Sequence, residues 1–335
     1  MVVVTGATGH IGSYLVRMLL ENGEAVRALV PPFEDSAVLE GLGLEIAQGD
    51  ILDPDSLTRA FEGAEEVYHL AGMISISRKD KEKVHLVNVV GTRNVCDACL
   101  RTGVRRLVYT SSIHAMVEPP HGVTFDESSS YDPKLAPGLY GSAKAAAALE
   151  VLAAVDRGLD AVIVCPTGVI GPGDSKPSQM GQMFIDVAEG RLRVCLDGAY
   201  DFVDIRDVAK GHILACKKGR KGESYILSGE RLTVTEIMQT LEEVSGVKAP
   251  TCRLPMWLAQ AVAPLTPVYY FLTRTEPIFT SDSIYVLTSN SDISSNKARR
   301  ELGYSPRPLH ESIADAVRWL MQAGMLRPSR QNGAA

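Results

Sequence analysis

In the stretch "YGSAK", Tyr140 and Lys144 stand four residues apart at the start of a helical pattern over 139–156. That spacing projects both side chains from one helix face. A phenol near its free pKa of about 10 is a poor acid–base group at neutral pH. An ammonium one turn away favours the phenolate, so Lys144 is expected to lower that pKa. Such a tyrosine can give a proton to, or take one from, an oxygen whose carbon gains or loses hydride. The lysine can at the same time hold the ribose hydroxyls of the hydride carrier. Ser112, which closes "YTSS", would hydrogen-bond the same substrate oxygen and fix its position. Taken alone, Tyr-x-x-x-Lys is a frequent surface pair. It acquires meaning only if a dinucleotide site and a hydroxyl converge on it.

The dinucleotide site is written at the start of the chain, in "VTGATGHIGSYL". Residues 1–4 read as a short buried strand, and 11–22 carry the apolar stripe Ile11, Leu15, Met18 and Leu19 of a helix. Gly6, Gly9 and Gly12 straddle the turn between them. Gly6 permits a tight turn, Gly9 lets a phosphate approach the main chain, and Gly12 lets the helix pack on the strand. The helix N-terminus then faces the pyrophosphate. Two later strand ends add to the site. Asp50 and Ile51 in "GDILD" offer a carboxylate for an adenine amino group, although a plain surface turn explains Asp50 equally well. Leu70, Ala71 and Gly72 close "HLAG", where Ala71 and Gly72 are small enough to lie under a ribose.

These groups must be held at the ends of strands. "AVRALV" (25–30), "LEIAQGD" (44–50), "EVYHLAG" (66–72), "RLVYTSS" (106–112) and "DAVIVCP" (160–166) are short, apolar and β-branched. Helical patterns over 54–61, 83–101 and 139–156 separate them. Regular alternation predicts an α/β fold with a Rossmann-type, doubly wound parallel sheet, and ligands bind beyond the carboxyl ends of its strands. The dinucleotide-binding domain is expected over 1–170, with late strands near 200–228 ("YDFVDI", "ESYILS") rejoining it. A smaller, mostly helical substrate region is expected over 171–199 and 229–327, and a frayed tail over 328–335.

Composition narrows the classes. The chain has 335 residues, 45% hydrophobic and 22% charged, which describes a soluble globular protein of one or two domains. A net charge of -6 argues against a nucleic-acid partner. No signal peptide is visible, since a strand is expected from the first residue, and six cysteines without a scaffold spacing suit a reducing, cytoplasmic setting. Cys96 and Cys99 form a CxxC inside a helical pattern without a second pair, so they read as buried helix residues and no metal site is assigned. Residues 254–273 carry no charge and are flanked by Arg253 and Arg274. Pro264 and Pro267 interrupt this stretch, so it reads as a lid or wall of a substrate pocket, with membrane-surface contact as the alternative.

The motifs "TGATGHIG", "GDILD", "HLAG", "NVVGT" (88–92), "YTSS", "YGSAK" and "CPTGVIGPGD" (165–174) together resemble the extended short-chain dehydrogenase/reductases, including the NAD-dependent epimerase/dehydratase group. The resemblance covers nearly the whole chain. It implies a catalytic triad of Ser112, Tyr140 and Lys144, with Ser112 preferred to Ser111. It also implies cofactor contacts from Thr8, His10 and Ile11 within the cradle, from Asn88 on its helix, and from Pro166 and Val169 along the nicotinamide. In this pattern the Thr5 hydroxyl ties the cradle to a neighbouring strand. A homodimer through 83–101 and 139–156 follows by the same analogy. Two departures bear on substrate. Tyr200 stands where sugar-nucleotide enzymes carry an arginine that grips diphosphate, and Cys165 replaces a second arginine. Loss of these cations, with the apolar stretch at 254–273, resembles the dihydroflavonol-reductase and hydroxysteroid-dehydrogenase branch. The expected activity is NAD(P)-dependent hydride transfer to or from a small apolar carbonyl or alcohol. The alternatives are a sugar epimerase or dehydratase, and a non-catalytic dinucleotide-binding sensor or assembly protein. Val30 and Pro31 occupy the place at the second strand end where an acid would mark NAD, so the reading favours NADP over NAD.

Overall fold

The computed structural model describes residues 1–75, 77–192, 194–250, 252–262 and 281–326. The chain forms two compact units. The first comprises Met1–Thr167, Ile205–Ser228 and Ser294–Pro306. The second comprises Gly168–Asp204, Gly229–Ile293 and Arg307–Ala335. Strands run in the order β1 (Val2–Thr5), β2 (Val26–Val30), β3 (Glu45–Gln48), β4 (Glu66–His69), β5 (Arg106–Thr110) and β6 (Ala161–Pro166). They continue with β7 (Gly168–Ile170), β8 (Val194–Leu196), β9 (Ala199–Asp204), β10 (Ser224–Leu227), β11 (Glu230–Thr233) and β12 (Cys252–Leu254).

The first unit is built on a seven-stranded sheet in the order β10-β6-β5-β4-β1-β2-β3, with every pairing parallel. β1 and β6 are buried along their whole length, because helices cover both faces and a continuous β-branched run satisfies both. Helix α1 (His10–Glu21) packs against α7 (Ile205–Lys218), while α2 (Pro54–Phe61), α4 (Gly91–Thr102) and α5 (Gly138–Asp156) form a second layer. The strand order reverses between β1 and β4, the place where such sheets open a crevice for ligands. Register aligns Thr5 with His69 and His69 with Tyr109, a row of polar and aromatic side chains across three central strands.

Two elements differ from the sequence reading. The stripe over 83–101 is not one uniform helix: α3 (Lys81–His85) leads into a π-turn over Leu86–Val90 before α4 begins. The wider turn carries Asn88, whose side chain is committed to a neighbouring loop, and such bulges concentrate at functional sites. The late segment 199–204 does not extend the main sheet. β10 already takes the edge beside β6, and β9 pairs parallel with β7 and antiparallel with β11.

The second unit holds that three-stranded sheet and the β12–β8 pair. Its helices include α6 (Gln179–Ala188) and α8 (Val234–Ser245), the latter closed by a Thr233–Glu236 capping box. Leu254 and Met256, at the start of the uncharged stretch, pack on Leu196, Ala259 and Ile284, whereas Trp257 is exposed. The remainder of that stretch from 263, and the tail over 328–335, lie outside the described residues.

Candidate active site

The cradle depends on missing side chains. Gly6 has φ +70°, and a Cβ there would lie 2.6 Å from the Ala71 nitrogen. A Cβ on Gly12 would sit 2.1 Å from the Gly6 carbonyl oxygen, so the helix can meet the turn only as glycine. Gly9 is the exposed N-cap of α1, which has no capping side chain and no acidic residue in its first turn. An anion is what such an end lacks. His10 and Ile11 form that first turn, with the His10 ring edge-on to Tyr14. These residues fit the pyrophosphate of a dinucleotide.

Beside the cradle, the Thr8 hydroxyl donates to Glu34 Oε1 at 2.5 Å. This carboxylate is not legible from the strand end itself, where Val30 and Pro31 stand. The chain instead turns at Pro31, whose carbonyl accepts from the Glu34 N–H at 3.0 Å, and the acid returns to the cradle three residues later. An acid about 20 residues past the glycines was the available signal. Asp50 closes its own turn by accepting from the Leu52 N–H at 2.9 Å, and Ile51 is buried against Gly91.

A hydrogen-bonded chain joins the cradle to the π-turn, and its protons can be assigned. The Thr92 hydroxyl donates to the Asn88 carbonyl at 2.6 Å, since a carbonyl can only accept. Thr92 Oγ1 must then accept from His69 Nε2–H at 3.0 Å. His69 Nδ1 is left as the acceptor for the Thr5 hydroxyl at 2.7 Å, while Thr5 Oγ1 accepts from the Ala71 N–H at 3.3 Å. His69 is thus a neutral Nε2–H imidazole. Burial and the nearby Lys144 charge push its pKa down to about 3. Asn88 uses both ends of its amide, accepting from the Met73 N–H and donating to the Met73 carbonyl, each at 2.8 Å. This clamp sets the loop that contains Leu70, Ala71 and Gly72.

The catalytic candidates gather at the end of β5. Ser112 Oγ accepts from the His114 N–H at 3.2 Å and hydrogen-bonds the half-buried Tyr140 phenol. Ser111 is buried, with its hydroxyl toward the Cys165 thiol. Lys144 is 4% exposed, and its Nζ donates to the Thr110 carbonyl at 2.8 Å and stands 5.0 Å from the centre of the Tyr109 ring. The Thr110 hydroxyl is fixed in turn by a second neutral histidine. His212 Nδ1–H donates to the Val208 carbonyl at 2.8 Å, so its Nε2 accepts from Thr110 at 2.7 Å. Burial holds His212 down at about 4.

The electrostatics correct one expectation. Burial pushes Tyr140 up to about 12, and the group pulling it back is Ser112 rather than Lys144. Burial brings Lys144 down to about 8. The ammonium donates to the Thr110 carbonyl, and the phenol, raised by burial, is a proton donor at neutral pH.

Of the remaining expected contacts, Pro166 ends β6 in the first unit opposite Leu227, while Val169 lies on β7 of the second unit opposite Val203. Tyr200 is buried edge-on to Phe202 at 5.7 Å. Cys96 and Cys99 are buried thiols of α4, both pushed up by burial.

The profile of the NAD dependent epimerase/dehydratase family matches residues 2–228. Sterol demethylase protein B of Methylococcus capsulatus is 42% identical over 327 residues, covering 97% of this chain and 99% of that protein. The 3beta-hydroxysteroid-dehydrogenase/decarboxylase isoform 1 of Arabidopsis thaliana is 31% identical, over 94% of this chain and 78% of its own length. The crystal structure of gox2253 superposes with a TM-score of 0.87 at 35% identity, over 98% of this chain and 99% of that one.

Proposed function

Since the chain belongs to the NAD-dependent epimerase/dehydratase family, we propose that it is an oxidoreductase acting on a secondary alcohol or ketone of a largely apolar, sterol-like molecule. The observation that carries this reading is the Ser112–Tyr140 hydroxyl pair at a strand end, one turn from Lys144 and bordered by apolar side chains. Leu139 precedes Tyr140 in sequence, and with Met73 it packs on Val84, Val89 and Ala143. A diphosphate-sugar would prefer cations there. The names of the sterol demethylase and hydroxysteroid dehydrogenase relatives support the same substrate class.

A bound nicotinamide dinucleotide supplies the hydride donor or acceptor. Ser112 positions the substrate oxygen, and Tyr140 exchanges the proton with it. In reduction the phenol, protonated at neutral pH, gives its proton to the oxygen as carbon gains hydride. In oxidation the phenolate takes the hydroxyl proton as the carbon–oxygen double bond forms and hydride leaves. Lys144 holds the ribose hydroxyls and favours the phenolate when charge develops. We further propose NAD rather than NADP as the cofactor, reversing the sequence reading. Glu34 can accept from a ribose hydroxyl beside Thr8, whereas a ribose phosphate there would meet a like charge.

A second reading, a nucleotide-sugar epimerase or dehydratase, rests on the breadth of the family itself. Calorimetric titration with NAD, NADH, NADP and NADPH, followed by turnover with hydroxysteroids, ketosteroids and nucleotide sugars, separates the two. Net change in reduced dinucleotide with a steroid supports the first reading. Conversion of a nucleotide sugar without net dinucleotide change replaces it with the second.

A further inference from the structure

We propose that Tyr109 is a positioning residue for the site, its ring face and the Thr110 carbonyl together forming the floor that holds the Lys144 ammonium. The proposal rests on the reading of Lys144 as the ribose-binding cation. Lys144 is almost fully buried, and burial disfavours its charged form. A carboxylate is the usual remedy, yet the titratable groups that face Lys144 are of another kind. They are Tyr140 from its own helix, His69 from β4, Tyr109 from β5 and Cys165 from β6.

Each of the four is neutral near pH 7. His69 is locked as a single tautomer by Thr5 and Thr92. Burial pushes Cys165 and Tyr140 up to about 12, and Tyr109 well above its ordinary range. Among the described residues, what remains to stabilise the ammonium is one carbonyl at 2.8 Å and one aromatic face at 5.0 Å. That distance is within the range of about 6 Å over which a ring quadrupole attracts a cation, and the attraction is strongest where water is excluded. Tyr109 is fully buried, and its alignment with His69 seats the ring next to the imidazole, with centroids 5.6 Å apart. A protonated His69 would repel the lysine from this floor, which gives the neutral tautomer a function beyond satisfying hydrogen bonds.

The test titrates Lys144 directly, by NMR of protein carrying lysine labelled at the ε-carbon, with Lys144→Met to assign the signal. Tyr109→Phe keeps the ring face and is expected to titrate like the parent protein. Tyr109→Leu removes the face and is expected to lower the Lys144 midpoint by roughly one pH unit. The alkaline limb of the kcat/KM profile, which reports the free enzyme, should move down with it while the plateau at lower pH is kept. Should the leucine variant fail to fold, pentafluorophenylalanine at 109 preserves shape and inverts the ring quadrupole, and the same downward shift is expected. An unchanged midpoint in the leucine or fluorinated variant, or a fall in the phenylalanine variant as large as in the leucine one, overturns the proposal. A Lys144→Met protein that turns over normally would instead remove the reading of Lys144 as a catalytic residue, leaving the titration to decide the role of Tyr109.

Discussion

Gly72→Ala is a one-carbon probe of how the loop and the catalytic lysine are spaced. Gly72 does not adopt left-handed backbone angles, so the substitution acts through space alone. The added Cβ would lie 2.9 Å from Asn88 Oδ1 and 3.3 Å from Lys144 Nζ. The first distance is too short to persist, so Asn88 must give way, and with it the two hydrogen bonds that clamp Met73. At about 1 kcal/mol net for each bond, roughly 2 kcal/mol is lost. If that loss is felt in the transition state, it corresponds to roughly a 30-fold fall in kcat/KM. Steady-state turnover, dinucleotide binding and thermal melting should be measured together. The expected result is a 10- to 100-fold loss of kcat/KM, weaker dinucleotide binding, and a melting point lowered by roughly 2–4 °C. An alanine protein with unchanged turnover and dinucleotide affinity would refute the reasoning, because the Asn88 clamp and the lysine would then tolerate displacement without consequence.

Tyr140→Phe should cut turnover by roughly 10²–10⁴ while leaving dinucleotide affinity within a few-fold, as judged by calorimetry beside steady-state rates. Equal turnover would remove the proton-transfer role. The parent protein should bind NAD more tightly than NADP, and Glu34→Gln should narrow that preference by roughly fivefold, since unit charges about 4 Å apart in water interact by about 1 kcal/mol; an unaltered ratio contradicts the assignment. Stability should depend on pH through the two buried histidines. Both have folded pKa values lowered, to about 3 for His69 and about 4 for His212, so the unfolded chain binds protons first as pH falls. Their contribution is complete above about 6.5 and is lost toward pH 4 and below, by about 1 kcal/mol per pH unit for each histidine. Urea midpoints across pH 7 to 4.5 check this, and a midpoint that stays level through that range contradicts it.

The parallel sheet and the glycine cradle were legible because both rest on local rules. Strand periodicity, glycine spacing and strand-end position are properties of neighbouring residues. Tyr140, Lys144 and Ser112 converge at one strand end for the same reason, each being placed by the end of an element. What escaped was set by contacts between distant segments. Glu34 returns to Thr8 through a proline turn that no periodicity announces. The π-turn at Asn88 is invisible in a stripe whose apolar positions are compatible with a uniform helix. His69 and His212 look like ordinary strand and helix residues until register sets them against threonine hydroxyls. The upward shift of the phenol was not legible because spacing along a helix says nothing of burial, or of a strand carbonyl that takes a hydrogen bond from the ammonium. The 199–204 strand joined another sheet because the main-sheet edge was already taken.

The central claim is that Tyr140 and its neighbours support net hydride exchange between an apolar alcohol and the dinucleotide. It is tested most directly by supplying NAD and a hydroxysteroid deuterated at the carbinol carbon, then analysing both products by mass spectrometry. Deuterium in the reduced dinucleotide with an equal yield of ketone is the expected result, and it should be absent with the Tyr140→Phe protein. Unlabelled dinucleotide across the steroid series, with a nucleotide sugar converted and no net dinucleotide reduced, would contradict the account.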